Sequence, residues 1–253
     1  MKLLIGCFLF SLLSLDARSQ VNTEALMRGT AIGFGTQLGT NFGFNSGNST
    51  FFRWQLDARS DYRTETFYTF LVGNLERGTA NNEIFLFRGF VHYRAIWQRD
   101  TLFQPEFFAQ REFNEFILLK DRILFGSGVR LNLLYLQPTD TVMAFKLTLG
   151  IGAMWENERF TELNPETKLL RSTNYLAFLW RILPRTSLQL IGYYQFDVRR
   201  YSDYRLLLDG LLTIRITDKL AATVTMIYRY DNEPVQNVAR FDLDLRNGFT
   251  YSF

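Results

Sequence analysis

The sequence predicts an all-β fold, a transmembrane antiparallel β-barrel of about twelve strands, and three observations lead there. Apolar and polar residues alternate with period two along most of the chain, as they do on a strand whose faces meet different solvents. Polar connections separate these runs and alternate between short and long, the pattern of barrels with short turns at one rim and longer loops at the other. The apolar strips run about 9–11 residues, the length a tilted strand needs to cross a bilayer.

In chain order, the first strand is thinned by Gly33, Gly35, Gly39 and Gly43 and ends in a long connection near 45–49. The second carries Arg53, Asp57 and Arg59 on its polar face and turns shortly near 61–63, and the third reaches a long connection near 77–82. These three and the fifth alternate least regularly, so ten or fourteen strands are the alternatives. The fourth sets Phe85, Phe87, Val91, Tyr93 and Trp97 against Arg88, His92, Arg94 and Gln98, before a short turn at Arg99-Asp100. The fifth brings Glu106 and ends in a long connection near 114–120. The sixth brings Arg122 and Arg130 and turns near 137–141.

The seventh opposes Phe145, Leu147, Leu149, Ile151, Ala153 and Trp155 to Lys146, Thr148 and Glu156, before a long loop over 156–167. The eighth includes Arg181 and turns at 183–185; the ninth ends in a long loop over 197–203. In the tenth, Leu206, Leu208, Gly210, Leu212, Ile214 and Ile216 lie opposite Arg205, Asp209, Thr213 and Arg215. After a short turn at 217–219, the eleventh opposes Leu220, Ala222, Val224, Met226, Tyr228 and Tyr230 to Thr223, Thr225 and Arg229. A long loop over 231–240 leads to the last strand. There Phe241, Leu243, Leu245, Phe249, Tyr251 and Phe253 share one face, and Asp242, Asp244, Arg246, Thr250 and Ser252 the other.

Composition agrees with this plan. Aromatics are 16% of the 253 residues, with 25 Phe and 12 Tyr against 5 Pro, and such residues favour half-buried pleated surfaces. Past residue 20 no run of about 18 apolar residues occurs, so no membrane-spanning helix is expected in the mature chain. Residues 1–19 read as a secretory signal, with Lys2, the apolar run Leu3–Leu15, and small residues Ala17 and Ser19 before the cleavage point. Removing Lys2, Asp16 and Arg18 takes the net charge from +3 to about +2, too little to argue for nucleic acid as a partner. Cys7 lies within the signal, so the exported chain has no thiol chemistry. Residues 20–29 read as a short periplasmic lead-in and 30–253 as one barrel domain.

The inward face collects Arg53, Asp57, Arg59, Arg88, His92, Arg94, Glu106, Arg122, Arg130, Lys146, Arg181, Arg205, Asp209, Arg215, Arg229, Asp242, Asp244 and Arg246. Charges of both signs on neighbouring strands point to an ion-pair-laced lumen. The excess of arginine would bias any open pore toward anions. His92 is the only histidine, and mid-strand between arginines it reads as a lumen residue rather than a catalytic base. Gly126-Ser127-Gly128 lacks the setting of a nucleophile elbow. No catalytic residue, metal site or cofactor is expected; the acidic loop residues Asp197, Asp203, Asp231 and Glu233 read as solvated charge.

Several segments resemble a known family. Gly43-Phe-Asn-Ser-Gly-Asn-Ser49 is similar to the turn that opens proteins of the DUF481 family. Phe103-Gln-Pro-Glu-Phe-Phe108 and Arg122-Ile-Leu-Phe-Gly-Ser-Gly-Val-Arg130 resemble its aromatic strand and the strand that follows. Tyr228-Arg-Tyr-Asp-Asn-Glu-Pro234, then Asp242 to Phe253, resembles its ending. The resemblance implies a salt-induced outer-membrane barrel and brings no catalytic residues. A strand closing on a terminal aromatic also resembles outer-membrane barrels, in which Phe249, Tyr251 and Phe253 would form the assembly signal. The expected role is that of a structural or stress-related, non-enzymatic envelope protein. A narrow anion-preferring channel is the alternative, and an outer-membrane lipid hydrolase a third. The expected partners are outer-membrane lipid, lipopolysaccharide and the barrel-assembly machinery, with the protein a monomer.

Overall fold

The computed structural model describes residues 31–46, 50–81, 83–136, 144–160, 166–234 and 238–251. The signal and lead-in, Cys7, and Phe253 lie outside the described residues, as do 47–49 of the family-like turn. Twelve strands follow one another: β1 (Gly33–Asn45), β2 (Phe51–Arg63), β3 (Phe67–Ala80), β4 (Glu83–Trp97), β5 (Phe103–Asn114), β6 (Leu119–Leu136), β7 (Phe145–Phe160), β8 (Thr167–Leu183), β9 (Thr186–Asp197), β10 (Tyr204–Arg215), β11 (Leu220–Asp231) and β12 (Phe241–Tyr251). They form one sheet in sequence order, every neighbouring pair antiparallel. Among the described residues the count is therefore twelve strands, rather than ten or fourteen. Among the described residues no ladder joins β1 to β12.

The sheet is rolled, and side chains on its polar face prove it. On a flat sheet, β4 and β8 would lie about 19 Å apart, four spacings of about 4.8 Å. Yet the Arg94 guanidinium on β4 donates to the Tyr175 hydroxyl on β8 at 3.0 Å. Arg205 on β10 likewise reaches Glu156 on β7 at 2.8 Å. The polar face is thus the concave interior of a barrel wall.

Burial is inverted relative to a water-soluble protein. The largest fully enclosed side chains include Arg94, Arg122, Arg171, His92, Glu76 and Glu156. Phe34, Leu38 and Phe42 on β1 stay over 70% exposed, and Val91, Ile151, Leu243, Leu245 and Phe249 are exposed on other strands. Charged groups are almost never enclosed unless paired, and broad exposed apolar bands mark an apolar surrounding.

Four connections differ from the sequence reading. The short turn read near 61–63 falls at 64–66, since β2 runs to Arg63 and β3 starts at Phe67, and the loop read over 156–167 is shorter because β7 runs to Phe160. The span near 77–82 is not a long loop: β3 runs to Ala80, β4 starts at Glu83, and Ala80 pairs with Glu83. Asn81 takes a positive φ of 49°, which asparagine tolerates in a tight hairpin. Arg77 is a strand residue facing out beyond the apolar band, which is why it resembles a loop residue in the sequence. Conversely, the connection after β6 is longer than a tight turn, since β7 begins only at Phe145. Between β5 and β6 a single 3-10 turn, Glu115–Ile117, is capped by the Asn114 side chain and ends on Leu118 at φ 61°.

Candidate functional site

Directly opposed residues on neighbouring strands share a face, so the registers say which face each residue takes. They place all eighteen predicted lumen residues on the concave side. Arg59, Arg88, His92, Arg94, Glu106, Arg122, Arg130, Arg205 and Arg229 are buried there. Arg53, Asp57, Lys146, Asp209, Asp242 and Asp244 are half-buried, and Arg181, Arg215 and Arg246 are exposed. On β12, Phe249 points outward and is 76% exposed, while Tyr251 pairs with Leu220 in the ladder.

Toward the rim of the longer loops, the lumen holds a continuous ion-pair network. Arg122 donates to Glu112 at 2.7 Å and contacts Glu156 at 2.5 Å and Glu158 at 3.2 Å. Arg171 donates to Glu156 at 2.6 Å and to Asp203 at 2.8 Å. Arg205 joins Glu156, Glu158 and Asp231, all within 2.9 Å. Across the interior, Glu76 accepts from Arg88 at 2.5 Å and contacts Arg53. A cavity of about 360 Å³ opens above this network, between Arg229, Asp231 and Asp242. The acidic loop residues are not solvated bystanders: Asp203 binds Arg171, Asp231 binds Arg205, and Glu233 binds Arg200 at 2.6 Å.

Midway along the barrel, side chains form a septum. Arg94 donates to Glu106 at 2.5 Å as well as to Tyr175, and its guanidinium lies 5.4 Å from the centre of the Tyr175 ring. That ring lies flush against Gly150, where a Cβ would collide with it. Gly126, Gly128 and Gly152 extend this bare strip of wall, and a Cβ on Gly128 or Gly152 would stand 2.6 Å from a backbone oxygen across the ladder. Phe108, Leu124, Met154 and Tyr193 lie beside these side chains around a void of about 40 Å³, room for little more than ordered water.

His92 belongs to the same layer. It is fully buried, with Nδ1 3.1 Å from the Gln110 side-chain oxygen and its ring 5.9 Å from that of Phe70. Its hydrogen-bonding neighbour is an amide, not a hydroxyl nucleophile.

Toward the short-turn rim the composition changes. A chamber of about 560 Å³ is bounded by Arg63, Arg130 and Lys146 together with Gln104, Asn132 and Thr148. Arg181 and Arg215 line the same end of the lumen.

The sequence reading missed Asp61, Arg63, Glu76, Glu112, Glu158, Arg171 and Asp197 as lumen residues. It assigned most of them to connections, whereas the strands continue past the apolar band. Extending the period of two from Lys146, Thr148 and Glu156 would have reached Glu158. With these carboxylates included, the arginine excess over the whole lumen largely disappears and survives only near the short-turn rim.

A rolled antiparallel sheet with a charged interior and an apolar exterior defines a barrel of the membrane-protein type. The family follows from sequence: residues 37–253 match the model described as "Protein of unknown function, DUF481", and the chain belongs to that family. No protein of curated function matches the chain. Among solved structures, the NanC porin is similar at 9% identity and a TM-score of 0.45, covering 86% of this chain and 99% of that one. The translocator domain of the autotransporter NalP from Neisseria meningitidis is similar at 10% identity and a TM-score of 0.44, covering 91% and 92%. The transport unit of the autotransporter AIDA-I from Escherichia coli gives 11% identity and a TM-score of 0.40, covering 96% and 94%.

Proposed function

We propose that the protein is a non-enzymatic outer-membrane barrel of a Gram-negative envelope, with a structural or stress-related role and an ion-paired lumen closed at mid-depth. The observation that carries this reading is the Arg94–Glu106–Tyr175 contact, which bridges β4, β5 and β8 across the interior beside a void of only about 40 Å³. The inverted burial supports placement in lipid: enclosed arginines and an exposed Phe/Leu band suit hydrocarbon outside and polar groups inside. Its partners in this reading are outer-membrane lipid and lipopolysaccharide on the wall, and the assembly machinery at the C-terminal strand, with the barrel as a monomer. Purified, folded protein in planar bilayers should show negligible conductance, and discrete single-channel steps would sink the closed-lumen reading.

The second reading, a narrow anion-preferring channel, draws support from the basic short-turn end, where Arg130 and Arg215 lie. It requires anion-selective current that falls when both are replaced by Ser. A lipid hydrolase would need His92 as base. Its enclosed position and amide neighbour argue against that use, and lipolysis abolished by His92→Ala would restore the hydrolase reading.

A further inference from the structure

The cations on the outer face of the wall cluster on neighbouring strands. Arg111 on β5, Arg159 on β7 and Lys168 on β8 gather at the long-loop rim, with Lys120 exposed at the β-bulge that opens β6. Glu112, Arg122 and Glu158 face the lumen, so the residues that alternate with them face out. Arg111, Ile123, Asn157 and Lys168 stand opposite one another in a single row from β5 to β8. Arg77 on β3 stands apart from this group. From β9 to β12 the strands carry no outward cation, and the rim is aromatic instead, with Tyr194, Phe196, Tyr204 and Tyr230 in ring contact.

Two of the clustered cations share one carboxylate. Asp121 accepts from Arg111 Nε at 2.9 Å and from Arg159 Nη2 at 2.7 Å. The acid is nearly covered, whereas the two arginine side chains are 69% and 56% exposed. Neither arginine has another ion pair among the described residues, so most donors of each fork are left to the outside. One carboxylate thereby fixes two guanidinium groups side by side without neutralising both. Lys120 has no ion-pair partner among the described residues. Lys168 pairs with Glu166 at 3.1 Å, and Glu115 in the turn after β5 is a further acid of this rim.

One row nearer mid-depth the outer face turns apolar. Phe125, Trp155 and Leu170 oppose one another on β6, β7 and β8, the two rings lie 5.0 Å apart, and Phe125 and Leu170 are nearly half exposed. Aromatic side chains of barrels gather where hydrocarbon meets headgroups. Cations standing just beyond them lie at the depth of lipid phosphate.

We infer that this patch is a headgroup site for a phosphorylated glycolipid of the leaflet at the long-loop rim. Arg111, Arg159 and Lys120 receive its phosphate, as arginine forks do in bidentate fashion, and Phe125, Trp155 and Leu170 carry the start of its acyl chains. Asp121 is a positioning residue. The inference rests on the outer-membrane reading proposed above, in which the longer loops and the lipopolysaccharide are on the same side. Inorganic phosphate offers the same charge but has no chains for the apolar row, so the site commits to lipid.

The test is native mass spectrometry of the folded, full-length protein in non-ionic detergent, titrated with bis-phosphorylated lipid A. A one-to-one adduct should form and weaken as ammonium acetate is raised. Lipid A stripped of its phosphates, and inorganic phosphate alone, should each bind about tenfold less or weaker. Arg111→Gln and Arg159→Gln should each weaken the adduct about tenfold, the loss of one charge-assisted hydrogen bond. Arg77→Gln, which removes an exposed cation on β3 away from the patch, should leave it unchanged. Heat-modifiable gel mobility checks that each variant is folded, and a water-soluble chain without it would refute the membrane reading itself. In folded protein, no adduct, equal binding of the dephosphorylated lipid, or an equal effect of Arg77→Gln would overturn this inference alone. So would phosphatidylglycerol binding as tightly as lipid A, which would reduce the patch to general attraction for anionic lipid.

Discussion

Arg122 sits among Glu112, Glu156 and Glu158 with its guanidinium fully enclosed. A forked, planar cation can serve several carboxylates at once, which a lysine cannot. Arg122→Ala would strand these acids without compensation and should cost about 3–5 kcal/mol in denaturant unfolding from detergent. Tyr175 has the opposite character, since in the closed-lumen reading its ring narrows the interior rather than balancing charge. Gly150→Val would push that ring off the wall and away from Arg94 and Glu106. Single-channel recordings of this variant and of Tyr175→Ala should show conductance steps absent from the wild type; silence from both would place the closure elsewhere. Outside the wall, Asp100 accepts the Leu102 and Phe103 amides at 2.7 and 2.9 Å, which holds its carboxyl below the usual range. A folded pKa below the unfolded one stabilises the turn above the unfolded value, and that contribution disappears as pH falls through the folded value. Amide exchange at Leu102, corrected for intrinsic rates, should therefore accelerate under acid, and Asp100→Ala should abolish the pH dependence.

Among the strands, β7, β10 and β11 are plainly legible in the sequence, because each keeps an unbroken apolar strip, and so is β12, whose strip is interrupted only at Asn247. The β3–β4 hairpin is not legible, since Glu76, Arg77 and the two asparagines look like loop while the first two extend the strand past the apolar band. The lumen-facing residues can be read from one strand at a time. Their partners cannot: Arg94 and Tyr175 are 81 residues apart, and only the rolling of the sheet brings them together. The glycines of β6 and β7 are legible as sites of close approach, but not as the bed on which an aromatic ring from β8 lies. Gly152→Ala should strain the β6–β7 ladder against the Ser127 carbonyl and lower the unfolding midpoint, whereas Gly35→Ala, with open space around it, should not. Loss of Phe253 should impair assembly in cells more than replacement of the lumen-side Arg246, read as the folded fraction on gels.

For the whole molecule, inverted burial predicts a chain that needs detergent to remain in solution and migrates differently on gels before and after boiling. A water-soluble, heat-insensitive protein would refute the membrane assignment. The division of the lumen has a further consequence. Arg63, Arg130, Lys146, Arg181 and Arg215 line one end while arginines alternate with carboxylates in contact at the other, which gives the interior an axial electric asymmetry fixed by covalent sequence. Such an internal dipole does not reverse with an applied voltage. Any leak current admitted by a breached septum should therefore rectify, with more current for one sign of potential than for the other. The direction of that asymmetry would report which way round the barrel has inserted.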